Sequence, residues 1–356
     1  MSSPAPGTAR PPLSVIVCTY NRASFLTACL GSLRNAGVDG LEIVVVDDGS
    51  TDETKATIDL LAGPDLRYVY QTNKGLSTAR NTGIAAATGR VIAYLDSDDL
   101  WLPGVAPKML AFLDAHPEVG VAFAEAHVGN ETEGFTPWSE WAGRDEFRDL
   151  PHIAVDGFRV FERTAFHRQL IRRNIVFTGA VFQRREVLDE SGYFNPKLNA
   201  AGDWELYLRI AARRVFAFCP DALAVYVQHP SQMTTGWDRM ALEFCDTRRA
   251  HLASGVPLGP DEIALLRRTL KDELFYYAYL AYDRKEYREA NRRFAQLLRE
   301  CGLDRKALLY WGLTCLPRFA TQGIRSFRSL FTTDDGVRVG PQPWAPAARA
   351  ALRDRS

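Results

Sequence analysis

Val91-Ile92-Ala93-Tyr94-Leu95-Asp96-Ser97-Asp98-Asp99 is an apolar run that stops in three carboxylates within four positions. Its length, its β-branched and aromatic content and the Gly89-Arg90 lead-in predict a strand buried on both faces. The acids then stand at a strand end. In an open parallel sheet ligands bind beyond the carboxyl ends of the strands, so a D-x-D-D run there can meet a cation and the phosphates it carries. Hard oxygen ligands suit Mg²⁺ or Mn²⁺. One of the three acids is expected only to cap a helix opening at Leu100-Trp101-Leu102-Pro103. Three such caps are too many, because clustered like charges repel unless a cation or a solvated turn compensates them.

Similar units precede this stretch. Leu13 to Cys18 predicts a first buried strand, and Thr19-Tyr20-Asn21-Arg22 a polar turn. A helix carrying Phe25, Leu26, Cys29, Leu30 and Leu33 follows. Leu41 to Val46 predicts a second strand ending at Asp47-Asp48-Gly49-Ser50, and Ser50-Thr51-Asp52-Glu53 has the pattern of a capping box. Leu66 to Tyr70 predicts a third strand. Asn73-Lys74-Gly75 then turns into a helix that holds Ser77, Ala79, Arg80 and Asn81. Alternation of this kind implies an α/β architecture, a mostly parallel sheet with right-handed crossovers and helices on both faces.

Beyond the acidic turn, Val119 to Ala124 predicts another strand, and regularity fades over about 125–175, a stretch rich in Trp and Phe. Long irregular loops in compact domains are commonly functional. Phe177 to Phe182 predicts a strand, Ala201 to Ile210 a helix with Asp203 in its first turn, and Val215 to Phe218 and Leu223 to Val227 two closing strands ending near His229. After Met240 the pattern is helical, and its first hairpin resembles a tetratricopeptide repeat unit. The expected organisation is a disordered N-terminus over 1–12, an α/β domain over 13–239, a helical region over 240–331 and a disordered tail over 332–356.

Composition narrows the function classes. The chain has 356 residues, 46% apolar and 24% charged, with zero formal net charge, so bulk electrostatics give no support to a nucleic-acid partner. The six cysteines show no C-x-x-C pair and no zinc spacing and read as small core residues in a reducing compartment. Met1 to Pro12 has no signal-peptide core, and no apolar stretch is long enough for a bilayer, which predicts a cytoplasmic protein. From Arg284 to Leu330 there are eleven Lys/Arg against four Asp/Glu. Two readings stand for this basic amphipathic part: peripheral contact with the inner face of an anionic membrane, or docking on the protein with arginines toward water.

Four blocks in order, Ser14 to Arg22, Val45 to Asp52, Asn73 to Asn81 and Leu95 to Asp99, resemble the successive signatures of the family 2 glycosyltransferases of GT-A fold. The resemblance covers about the first two-thirds of the chain. It implies inverting transfer of a sugar from a nucleotide-sugar donor, expected to be UDP-linked, to a sugar, lipid-linked or other hydroxyl acceptor in surface polysaccharide or glycolipid synthesis. It also implies roles. Asp48, with Asp47 beside it, falls on the family's base and ribose acid, and Thr19, Tyr20 and Arg22 on the same pocket. Lys74 and Arg80 fall toward the donor's phosphates or sugar. Asp96 and Asp98 fall on the D-x-D pair, with Asp98 the direct ligand of a divalent metal, Mg²⁺ or Mn²⁺, and His229 near it. The family's general base lies in a Glu-Asp motif opening a helix. Here that motif reads Gly202-Asp203, which makes Asp203 the candidate base and Glu205 the reserve.

Rival classes fare worse. Nucleotidyltransferases and nicotinamide oxidoreductases need a Gly-rich phosphate loop after the first strand, and Thr19-Tyr20-Asn21-Arg22 contains no glycine. A sugar-nucleotide-binding scaffold with a decayed site is the remaining alternative. It is separated from a transferase by whether Asp98 and Asp203 converge on one cleft.

Overall fold

The structure, a computed structural model, describes residues 11–130, 132–141, 148–229 and 237–315. Residues 1–10 and everything after residue 315, including the basic segment past Pro317 and the tail, lie outside the described residues. The chain divides into two compact units, Met1–Met233 and Thr234–Ser356.

In the first unit the elements are β1 (Leu13–Thr19), α1 (Ala23–Arg34), β2 (Glu42–Asp47), α2 (Thr54–Leu60), β3 (Leu66–Tyr70), α3 (Leu76–Ala86), β4 (Val91–Asp96), β5 (Leu100–Trp101), α4 (Val105–Ala115), β6 (Val119–Asn130) and β7 (Gly134–Pro137). They continue through α5 (Trp138–Trp141), β8 (His152–Val155), β9 (Phe158–Phe161), α6 (Arg163–Arg172), β10 (Val181–Arg184), α7 (Arg185–Ser191), α8 (Gly202–Ala211) and β11 (Val215–Val227). One sheet runs in the order β3-β2-β1-β4-β10-β6-β11-β9-β8. The β3-β2-β1-β4 half is parallel throughout, β10 is wedged antiparallel between β4 and β6, and β11 lies parallel to β6.

All seven residues of β1 are buried, as a central strand covered on both faces requires. The parallel register then does the work of assembly: Thr19 pairs with Asp47, and Cys18 with Asp96. Three blocks far apart in sequence therefore end side by side on one sheet edge. Helix α3 crosses this sheet closely. A Cβ at Gly83 would overlap the Ile16 side chain and stand 3.3 Å from Val46 Cγ2. Glycine costs a helix interior about 1 kcal/mol relative to alanine, and here close packing offsets that cost.

Several expectations need correction. Leu100-Trp101 does not open a helix but pairs with β11, and α4 starts only after Gly104, which sits at φ 88°. No capping box forms at Ser50: α2 begins at Thr54, whose amide donates to Asp52 at 3.1 Å, while Ser50 Oγ accepts from the Asn21 amide. The stretch 125–175 is more regular than its sequence suggests, since β6 runs on to Asn130 and hairpins β6-β7 and β8-β9 and helix α6 follow. The strand expected at Phe177 is instead a single 3-10 turn, Thr178–Ala180, leading into β10. The two closing strands are one, β11, with register shifts near its middle.

The second unit contains α9 (Trp237–Ala253), α10 (Pro260–Asp283), α11 (Tyr287–Cys301) and α12 (Arg305–Cys315), each packed on the next. Leu270, Leu274, Ala278, Ala281, Ala290, Phe294, Leu297 and Ala307 form its core. The Arg293 guanidinium lies 3.7 Å over the Tyr277 ring and donates to the Tyr277 carbonyl at 2.9 Å. No helix among the described residues is long and apolar enough to cross a membrane. Four cysteines are buried and none is in a disulfide among the described residues.

Gly83→Val forces a side chain into the α3-sheet contact and should cost about 1–3 kcal/mol of stability. Thermal unfolding of the variant checks this, and an unchanged midpoint would show that the helix is free to move off the sheet.

Candidate active site

The site is built on the carboxyl ends of β1, β2 and β4 and on the N-terminus of α8. Asp47 and Asp48 are buried there, at 1% and 5% exposure. Asp47 accepts from the Ser50 amide at 2.8 Å and from the Tyr68 hydroxyl at 2.9 Å. Asp48 accepts from Gln71 Nε2 at 2.6 Å and from the backbone amides of Lys74 and Gly75, both at 2.9 Å. Of roughly four lone-pair positions on a carboxylate, Asp48 has one left. Its visible work is to hold the turn before α3, where Gly75 adopts φ 87° and the Lys74 side chain is exposed. Gly49, at φ 86°, lets the two loops interlock, because a Cβ there would meet the Asn73 amide nitrogen at 2.7 Å. Thr19 is buried on the same edge, and Tyr20 is half exposed.

Asp96, Asp98 and Asp99 have three different surroundings. Asp96 accepts from Arg80 Nη2 at 3.0 Å. Asp98 Oδ2 lies 3.0 Å from His229 Nε2 and 3.7 Å from Arg22 Nε, and His229 stacks on Phe25 with centroids 5.0 Å apart. Asp99 is fully buried and accepts from the Val227 amide at 3.2 Å. Burial, reinforced by the Asp96 and Asp98 charges, pushes its carboxyl well above the usual range, and its bond to the Val227 amide ties the acidic turn to β11.

Arg80 links the two sides of the site. Its guanidinium is 4% exposed and lies 5.9 Å from the Tyr94 ring centroid and 5.4 Å from that of Phe194. Burial alone lowers the pKa of an arginine, but the carboxylates of Asp96 and Asp203 outweigh it and hold the guanidinium charged, with its pKa raised. Cys18 lies below, its thiol pushed up to about 12 by burial.

Asp203 opens α8. Its Oδ1 accepts from the Trp204 amide at 2.7 Å and its Oδ2 from the Thr178 hydroxyl at 2.6 Å. The reserve acid is engaged elsewhere: Glu205 is 3% exposed and paired with Arg209 through bonds of 2.8 and 2.9 Å. Gly202 has a steric reason. A Cβ there would overlap the Ser77 hydroxyl, which itself donates to the Leu198 carbonyl.

The structure thus brings Asp96, Arg80 and Asp203 together on one side, and Asp98, His229 and Arg22 on the adjoining one. Sequence reasoning missed Thr178, Gln71, Tyr68 and Phe25. Each acts through polar or ring contacts with partners distant in sequence, which no spacing rule encodes. Among the described residues no three His, Cys, Asp or Glu side chains gather to hold a cation alone. The Asp98 carboxylate and the His229 imidazole in contact are a donor pair that fits Mg²⁺ or Mn²⁺ when substrate phosphates supply the remaining oxygens.

Comparison with known proteins bears on the family and the fold. The profile of glycosyl transferase family 2 matches residues 14–192. The chain is 41% identical over 102 residues to the putative glycosyltransferase EpsH of Bacillus subtilis, covering 28% of this chain and 30% of that protein. An uncharacterized glycosyltransferase of Nostoc is 39% identical over 112 residues, covering 31% of this chain and 35% of that one, so these matches span about a third of the relatives' length. The PGL/p-HBAD biosynthesis glycosyltransferase of Mycobacterium bovis is 28% identical over 205 residues, covering 56% and 70%. Among solved structures, S. aureus TarS 1-349 in complex with UDP-GlcNAc superposes with TM-score 0.62 at 19% identity, covering 87% of this chain and 88% of that one. A mannosyltransferase from Pyrobaculum calidifontis in complex with GDP-Man and Mn²⁺ gives 0.54 at 23% identity, covering 98% and 89%. These likenesses place the fold among GT-A glycosyltransferases.

Asp48→Ala leaves the part-buried amides at 74 and 75, and Gln71 Nε2, without this acceptor. It should lower stability by about 2–4 kcal/mol, measurable by urea unfolding. Hydrogen exchange should then quicken at Lys74 and Gly75 first; equal protection in both proteins would contradict the tie.

Proposed function

The chain belongs to glycosyl transferase family 2, and on that premise we propose that it moves a sugar from a nucleotide-sugar donor, UDP-linked in our reading, to an acceptor hydroxyl with inversion. The observation that carries the reading is Arg80, one buried guanidinium that pairs with Asp96 of the D-x-D turn and faces Asp203. The candidate donor side and the candidate base therefore share one cation. A scaffold with a decayed site has no need to keep this arrangement.

In this mechanism the nucleotide lies along the ends of β1 and β2, against Thr19, Tyr20 and Arg22, on the loops that Asp47 and Asp48 fix. Lys74 and Arg80 offer positive charge toward the diphosphate and sugar. Asp98 and His229, with Asp96 beside them, would hold a divalent cation, which when bound would supply charge stabilisation to the nucleoside diphosphate. Asp203 takes the proton from the acceptor hydroxyl as its oxygen bonds to the anomeric carbon. The bond from that carbon to the phosphate oxygen breaks, and its electron pair leaves with the diphosphate. The two bonds to Asp203 hold its carboxylate in one orientation at the start of α8.

The acceptor is proposed to be a sugar or lipid-linked hydroxyl of surface polysaccharide or glycolipid synthesis. TarS was solved with UDP-GlcNAc and the Pyrobaculum enzyme with GDP-Man and Mn²⁺, which supports testing both donor classes with metal. Peripheral contact with the inner face of the membrane belongs to the same proposal. It is supported by Leu308, Leu309 and Trp311, exposed on α12 beside Arg305 and Lys306.

The test is binding and hydrolysis of a panel of nucleotide sugars with Mg²⁺ or Mn²⁺. One donor should bind with metal, Asp98→Ala should abolish that binding or its turnover, and Asp203→Asn should retain binding while losing about 10²–10⁴-fold in turnover. No binding by any donor under any metal condition would transfer the case to the scaffold reading.

A further inference from the structure

Asp203 is not oriented by its own helix alone. Oδ2 accepts from Thr178, a residue 25 positions earlier, 5% exposed and carried on the 3-10 turn Thr178–Ala180. That turn is held from two directions. The Gly179 carbonyl accepts from the Trp101 indole at 2.7 Å, and Trp101 stacks on Phe182 with centroids 5.3 Å apart. Gly179 itself fits closely against Phe177, whose ring atoms a Cβ would meet at 2.6 and 2.8 Å. Trp101 stands two residues after Asp99 in the acidic turn. A short run of contacts therefore leads from the D-x-D turn through Trp101, Gly179 and Thr178 to the carboxylate of Asp203.

We propose that Thr178 is a positioning residue for the base: its hydroxyl fixes the orientation of the Asp203 carboxylate toward the acceptor hydroxyl. The inference rests on the reading of Asp203 as general base. Three groups face this carboxylate. Thr178 comes from the turn before β10, Arg80 from α3 and Tyr207 from α8 itself. Arg80 adds a positive charge, and Thr178 adds a directed bond. With Oδ2 occupied on one side by Thr178 and Oδ1 by the Trp204 amide, the proton-accepting lone pairs that remain point in fixed directions. A rotating carboxylate would sample the reactive alignment less often.

The experiment compares Thr178→Val, which keeps shape and loses the donor, with Thr178→Ser, which keeps the donor. The first readout needs no substrate: carbon-13 NMR of Asp-labelled full-length protein follows the chemical shift of the Asp203 carboxyl at one pH, assigned by the signal lost in Asp203→Asn. Thr178→Val should move that signal, and Thr178→Ser should leave it near the wild-type position. The second readout is release of nucleoside diphosphate from UDP-N-acetylglucosamine and GDP-mannose with Mn²⁺. Thr178→Val should lower kcat about tenfold with donor KM unchanged, and Thr178→Ser should restore it.

An unmoved Asp203 signal and an unchanged kcat in folded Thr178→Val would overturn the inference and leave Thr178 as packing. Equal shifts in the valine and serine variants would do the same. If the valine variant does not fold, Thr178→Ala is read by the same criteria. Asp203→Asn with undiminished turnover would instead remove the reading of Asp203 as base, a distinct result from any failure at Thr178.

Discussion

A guanidinium buried to 4% exposure is a costly thing to keep, and the surroundings of Arg80 show what keeps it. Asp96 meets it at 3.0 Å, Asp203 adds a second negative field, and the rings of Tyr94 and Phe194 cover its faces. The Asp96 side chain keeps 40% exposure, so solvent screens part of this pair, and the covering rings and the second negative field complete the surroundings that Arg80 needs. The arrangement also divides labour among the acids. Asp96 gives one oxygen to Arg80, and Asp98 is left facing His229 and Arg22. Asp99 is buried and serves β11 instead. Three adjacent carboxylates are tolerated because no two of them do the same thing.

The parts of the fold legible in the sequence are those governed by short-range rules. Buried parallel strands read as continuous apolar runs, and their polar ends must fall on one edge once the register is parallel, which is why Thr19, Asp47 and Asp96 could be grouped before any coordinates. The parts that were not legible depend on partners distant in sequence. Leu100-Trp101 has the composition of a helix start, but the late section of β11 offers open backbone and recruits it into the sheet. Ser50 fits a capping pattern locally, yet the Asn21 amide from the neighbouring loop engages its hydroxyl. The aromatic stretch after residue 125 looked irregular because its strands are short and its rings pack on one another rather than alternating in and out. Phe123, Phe161, Phe166 and Phe216 form one such cluster.

The candidate site was legible to the same extent. Acids that end strands announce themselves. Groups that orient those acids do not, since a threonine on a 3-10 turn or a glutamine after β3 has no pattern of its own. Asp47 and Asp48 illustrate the distinction: their position follows from sequence, while their commitment to the loops at Ser50 and at Lys74 and Gly75 follows only from the folded contacts.

Gly202 and Ser77 carry a consequence for how this chain can change. The space a side chain at 202 would need is filled by the Ser77 hydroxyl, and that hydroxyl is in turn held by the Leu198 carbonyl. The two positions are therefore epistatic. A larger residue at 202 is unfit while serine remains at 77, whereas a change of Ser77 to alanine clears the space and sacrifices one hydrogen bond. A mutational route toward the family's Glu-Asp pair must pass through position 77 first; the opposite order leads through a poorly packed intermediate.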